Sequence, residues 1–309
     1  GGKTPTDKGI TNQTLYSRIT YAANYLNWLA YKLLGQRKRF LTNEERQSVE
    51  QMTVRLKILR PKHRKSSRIH APRGLDQDEQ KLLSQMLSQY CAQNPFSTEV
   101  QLRNRLIVTL MTDLGIRSGE LLSIKVDDFD FTSNTLVIPR RHDDPDDPRN
   151  NQPVAKTLDR RLPISSQLAE DVVGYVTKDR MRVKQQPDHG FLFVSHKLGP
   201  NCGRPLSQSG LRKIFEKLRT ESEGTLENLT PHALRHTANE NFSSLMDQKN
   251  VSEAREKKLR AYMMGWVETS DTVSTYTRRH IEKEAREASL QMQKSLRVGS
   301  GNGKPEKPD

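Results

Sequence analysis

Apolar residues recur at helical spacing along most of this chain, and the period shortens to that of strands between Phe129 and Ile164. That pattern constrains the fold to a mainly α arrangement with a small antiparallel β-sheet, an α+β class. Leu15, Ile19, Ala22, Ala23, Tyr25, Leu26, Leu29 and Leu33 line a first helix over 12–34. Thr42 with Glu45 three residues on opens a second, reaching about Leu59 before Pro61. Further helices are expected over 76–91, from Ser97 to Gly115, from an N-cap at Ser118, and over 166–183 and 207–222. After Thr230 comes one more, then one from Ser252 to near Gly265, one carrying Tyr276, and a last at 281–296. The stripe Val100, Leu106, Ile107, Leu110, Met111 and Leu114 reads as packed core. Phe129–Phe131, a turn at Thr132-Ser133-Asn134, and Thr135–Ile138 form a hairpin, with Lys156–Ile164 as a third strand and Phe191–Val194 short and extended.

Two helices before Pro61 are too little for a domain of common size, so 1–60 reads as a small helical module. Residues 61–74 follow as a basic linker, 75–298 as the main domain and 299–309 as a disordered tail. Gly1-Gly2 reads as an expression scar or as a truncation point, which an arm-binding module can precede. The linker holds Lys62, Arg64, Lys65, Arg68 and Arg73 without an acid, a composition suited to running along a phosphate backbone or to a solvated tether. The whole chain carries a net charge of +14, which points to a polyanion, nucleic acid before membrane surface. Cys91 and Cys202 match no metal or redox spacing, as in a reducing compartment without disulfides. No apolar run approaches a membrane span. The loop 142–154 places Asp143, Asp144, Asp146 and Asp147 among prolines, and reads as solvated turns in place of a metal site.

Thr230-Pro231-His232-Ala233-Leu234-Arg235 concentrates the chemistry. Thr230 is a natural N-cap and Pro231 a natural first helical residue. His232 and Arg235 then share one face of a helix start, where backbone N–H groups and the positive dipole end favour a phosphate. Arg117 stands at a second helix start.

With Gly115-Ile116-Arg117-Ser118-Gly119-Glu120-Leu121-Leu122, Asp127-Asp128, Gly265-Trp266 and Tyr276-Thr277-Arg278, these residues resemble the tyrosine recombinase (phage integrase) family of site-specific DNA recombinases. The resemblance covers about Leu75 to Arg279, with a weaker echo of a helical core-binding module before it. It implies a catalytic domain over 75–298 that, with the helical module, clamps duplex DNA. It also implies strand cleavage and rejoining through a 3′-phosphotyrosyl intermediate, without metal, ATP or any cofactor.

Carried onto this chain, the family pattern makes Tyr276 the nucleophile, Arg117 and Arg235 the phosphate-gripping pair, and His232 a phosphate donor that exchanges protons with the nucleophile. Lys156 becomes the acid for the leaving 5′-oxygen, with Lys125 as its competitor. Trp266 occupies the place where many members have a histidine, donating through its indole N–H. Glu120 is the supporting acid, able to orient Arg117 or His232, or an ordinary first-turn glutamate. His236 reads as structural, and Tyr262 as an alternative tyrosine engaged in helix packing. The implied partners are double-stranded DNA with a specific target site and a homotetramer on two sites, a dimer per site. Accessory DNA-bending proteins can assist, and the helix at 281–296 either docks into a neighbour or folds back. The resemblance places such a protein in a bacterial cytoplasm, encoded by the host or a phage, with integration or excision of a mobile element as its task. A type IB topoisomerase, or a DNA-binding relative without catalysis, would share much of this pattern.

Overall fold

The computed structural model describes residues 10–37, 40–61, 74–141, 143–155, 157–183 and 189–267, together with 285, 286, 288–290 and 292. The chain forms two compact units, Gly1–Ala71 and Pro72–Asp309.

The first unit is a helical hairpin of α1 (Asn12–Arg37) and α2 (Asn43–Ile58). Thr42 and Glu45 form the expected capping box, with reciprocal backbone bonds of 3.0 and 3.3 Å. The pair meets at Ala23 and Val49, with Thr53 donating to Asn27 at 3.0 Å. Two helices cannot enclose the apolar stripe of α1, so Leu15, Tyr25, Leu26 and Leu33 stay exposed.

The second unit is built on α4 (Thr98–Leu114), whose Leu106, Ile107, Leu110 and Met111 are essentially inaccessible to solvent. Gly115 ends it in the left-handed conformation at φ 61°, as glycine allows. α3 (Gln77–Met86) stops short of the expected Cys91 because polar groups take over the backbone: Tyr90 N–H donates to Gln101 and Asn94 donates to the Ser88 carbonyl. α5 (Ser118–Ser123) is capped at Arg117, one residue before the expected Ser118. α6 (Ser166–Gly174) continues as a wider turn over 175–180, and α7 (Gln208–Glu221) lies close to its expected bounds. α8 (Pro231–Gln248) packs on α4, and α9 (Glu253–Met264) packs on α8.

β1 (Phe129–Asp130), β2 (Thr135–Ile138) and β3 (Arg160–Pro163) form one antiparallel sheet in sequence order, pairing Phe129 with Leu136 and Leu136 with Leu162. β3 is shorter than the expected strand from Lys156. Because side chains alternate, Arg160 shares the inward face with Leu162.

The acidic loop departs from the solvated turns expected of it. Asp147 is buried and paired at 2.7 Å with Arg149, which also donates to the Leu206 and Leu122 carbonyls. Asp144 pairs with Lys125 at 2.9 Å, and Arg141 holds Asp128 bidentately. Basic partners turn the aspartates into a clasp over α5, while Asp143 and Asp146 remain exposed. Of the expected closing helix 281–296, the described residues are helical and exposed. Among the described residues no helix is long and apolar enough to cross a membrane.

Candidate active site

The amino end of α8 is built as its sequence dictates: Thr230 accepts from Ala233 N–H at 3.0 Å, and Pro231 occupies the first turn. Arg235 lies one turn in and is buried to 4% exposure. Its guanidinium donates to the Gly115 carbonyl and, at 3.0 Å, to the Met264 carbonyl. Those are the carboxyl ends of α4 and α9, where backbone oxygens lack helical partners and the dipole is negative. The same guanidinium lies 5.1 Å from the centre of the Trp266 ring. Trp266 is buried against Ala238, Ala261 and Met264, so α8, α9 and the Gly265 turn lock the arginine and the indole together.

His232 is exposed, yet three influences press its pKa below the ordinary imidazole value: what burial it has, then the positive charge of Arg235, then that of Arg117. The charges of Arg117 and Arg235, 118 residues apart in sequence, therefore both bear on one imidazole. His236 meets His232 edge to face at 4.4 Å between ring centres, and burial, His232 and Arg235 push its pKa down to about 4. It stays neutral at physiological pH.

Glu120 is the buried joint beneath this surface. Its carboxylate accepts from the Arg117 backbone N–H at 2.7 Å and from the Thr157 hydroxyl. Arg160 grips both carboxylate oxygens, at 2.9 and 3.2 Å. Glu120 thus caps the backbone at Arg117, as a first-turn glutamate does, and its charge partner is Arg160. Arg160 was not among the residues expected from sequence. Its signal was an arginine in the inward register of β3, which physical chemistry requires to be paired.

Lys125 is held by Asp144 and Asp146 and lies 5.2 Å from the centre of the Phe191 ring. Tyr262 is exposed, and its hydroxyl donates to the Arg161 carbonyl at 3.0 Å, so it serves the β3 edge more than helix packing. Tyr276 and Lys156 lie outside the described residues, as do Lys62, Arg64, Lys65, Arg68 and Arg73 of the linker.

Arg117 and His232 at two helix starts, with the buried Arg235 and an indole behind them, gather positive charge and N–H donors of the kind that suit an anionic phosphodiester. The sequence profile of the phage integrase family matches residues 74–283, more than half of the chain. The chain belongs to that family. In keeping with a phage integrase, it is 24% identical over 234 residues to tyrosine recombinase XerC of Bacillus pumilus (strain SAFR-032), spanning 75% of this chain and 62% of the relative. XerC of Staphylococcus aureus (strain USA300) is 26% identical over 140 residues, 45% of this chain and 40% of the relative. The chain therefore spans less than two thirds of these relatives. Among solved structures, XerH site-specific recombinase bound to palindromic difH substrate in a post-cleavage complex gives a TM-score of 0.51 at 17% identity, covering 93% of this chain and 74% of that one. The Tn1549 transposon integrase with transposon right end DNA gives 0.50 at 14% identity, covering 89% and 87%. At such identity the likeness is one of fold: mainly helical, with a small antiparallel sheet.

Proposed function

We propose that this integrase-family protein is a site-specific DNA recombinase that cuts and rejoins strands through Tyr276. The observation that carries the reading is that Arg117, at the start of α5, and Arg235, one turn into α8, both act electrostatically on His232. The Tyr276 phenol attacks the scissile phosphorus and loses its proton to neutral His232. A phosphorus–phenolate bond forms and the bond to the 5′-oxygen breaks, leaving a 3′-phosphotyrosyl link. Lys156 supplies the proton that the departing 5′-oxygen takes up. Arg117 and Arg235 neutralise the charge that grows on the non-bridging oxygens, while Trp266 holds Arg235 in place. Reversal by another strand's 5′-hydroxyl restores a phosphodiester, so one ester is exchanged for another and no ATP is consumed.

Duplex DNA as the partner is supported by the charge of +14 and by the DNA complexes named for XerH and the Tn1549 integrase. A separate cleft of about 1510 Å³ near the starts of α4 and α7, which shares no residue with the candidate active site, is lined by Arg182, Lys197, Arg204, Lys213 and Lys217 and offers further positive charge for a phosphate backbone. In this reading the helical unit 1–60 is a core-binding module and 61–74 the linker, with Lys62, Arg64, Lys65, Arg68 and Arg73 on the backbone. Residues 75–298 carry catalysis, and four protomers exchange strands on two sites of a mobile element.

The test is covalent capture from a randomised library of nicked suicide duplexes, with Tyr276→Phe as control. Sequence-selected adducts with wild type alone support the reading. Absence of any adduct above the control overturns it, leaving a DNA-binding relative. Relaxation of arbitrary supercoiled plasmid without recombinant products replaces it with a type IB topoisomerase.

A further inference from the structure

We propose that Arg160 is the positioning residue of this site: one buried guanidinium that holds three active-site segments in mutual register. The inference rests on the recombinase reading above and extends it to a residue outside the family pattern quoted from the sequence. The Arg160 side chain is 1% exposed and Glu120 is wholly buried, so neither meets DNA and both act through others.

The first segment is the start of α5. Arg160 holds both oxygens of Glu120, and Glu120 in turn caps the Arg117 backbone N–H. The second is the carboxyl end of α9, where Arg160 Nε donates to the Met263 carbonyl at 2.8 Å, three residues before Trp266. The backbone there is shaped around the guanidinium. Gly265 adopts φ 63°, and a Cβ on it would lie 2.6 Å from Arg160 Nη1. The third is the root of β3 itself, four residues after Lys156. Leu158 N–H donates to the Gly265 carbonyl at 3.0 Å, and the Thr157 hydroxyl joins Glu120. A bidentate fork with a further N–H in the same plane, pointing away from it, is what arginine supplies and lysine cannot. Arg117, Trp266 and the segment that leads to Lys156 thus share one fixed reference point.

The experiment compares Arg160→Met, Arg160→Lys and Glu120→Gln in a Trp28→Phe background, where Trp266 is the remaining tryptophan of two. Three quantities are read well below each variant's melting temperature: single-turnover adduct formation on a captured suicide duplex, duplex affinity by mobility shift, and acrylamide quenching of Trp266. Arg160→Met is expected to slow adduct formation by about 10²-fold, the usual effect of a small displacement of reacting groups. Affinity should stay at the wild-type level, and quenching should increase. Adding Glu120→Gln should slow the reaction no further, because the two residues act as a unit. A role confined to stability would lower melting temperature while leaving rate and quenching at wild-type values in the cold, and that result overturns the proposal. So does loss of affinity in proportion to rate. Should Arg160→Met fail to fold, Arg160→Lys and Glu120→Gln carry the same readouts. Should wild type form no adduct, the recombinase reading falls by itself. Quenching then still decides the point, since unchanged quenching in a folded Arg160 variant overturns positioning.

Discussion

Glu120 receives Arg160 through both carboxylate oxygens, at 2.9 and 3.2 Å, with neither side chain more than 1% exposed. A buried pair of this kind contributes little net stability when intact, but losing one member leaves an uncompensated charge. Glu120→Ala is therefore expected to destabilise the Pro72–Asp309 unit by about 3–5 kcal/mol, read as a lower urea midpoint. Glu120→Gln, which keeps the shape and part of the hydrogen bonding, should lose less. Equal midpoints for wild type and Glu120→Ala would mean that solvent reaches the pair.

Arg235 bonds the Gly115 and Met264 carbonyls and lies against the Trp266 ring. Lysine keeps the charge and loses the planar fork. Arg235→Lys should lower the rate of adduct formation by about 10²–10³-fold, the scale for losing one preorganised donor at a developing negative charge. Duplex affinity, set by many phosphate contacts, should change far less. A variant with wild-type rate would remove Arg235 from the phosphate.

The histidines fix two pH dependences of the same sign. His232 has a lowered pKa, first from burial and then from Arg235 and Arg117, so the neutral base form persists below the ordinary value of 6.5. Adduct formation should be level through neutral pH and fall on an acid limb beginning below 6.5, and His232→Gln should abolish that limb. For stability, His236 and His196 are both held to about 4, in each case first by burial, with His232 and Arg235 or Arg103 adding to it. A lowered imidazole pKa means the unfolded chain binds more protons than the folded one between about 4 and 6.5. Melting temperature should drop across that window as pH falls, and His196→Gln should flatten the drop. A rise on acidification would reverse the assignment.

Most of the fold was legible because it rests on local signals. Thr42 with Glu45, Thr230 with Pro231, and Gly115 are punctuation that short-range physics reads directly, and the α4 stripe predicts the buried face. Arg117 and His232 stood out for the same reason, each sitting at a helix start. What stayed hidden depends on contacts distant in sequence. The clasp of Arg149 on Asp147 needs the Leu206 and Leu122 carbonyls before it can exclude water from an acidic loop. Likewise Glu120 looks like a first-turn glutamate until Arg160, forty residues later, is seen in the inward register of β3. Alternation along the strand carried that information, yet a pattern search for apolar residues passes over a buried arginine.

Gly265 offers a test that separates this inner network from backbone strain. Its φ of 63° makes any side chain unfavourable by about 1–2 kcal/mol. A Cβ there would also stand 2.6 Å from Arg160 Nη1 and 2.9 Å from the Leu158 carbonyl oxygen. Gly224 supplies the control, with φ 90° and nothing within 4 Å of the place a Cβ would take. Gly224→Ala should show the backbone penalty alone and leave adduct formation intact. Gly265→Ala must also push the guanidinium off Glu120 or the Gly265 carbonyl off Leu158, so its melting temperature should fall further and its adduct rate should drop. Matching losses in the two variants would place the whole effect in the backbone. A larger loss at Gly265, with the rate falling at temperatures where the variant is fully folded, ties the turn before Trp266 to the arginine beneath it.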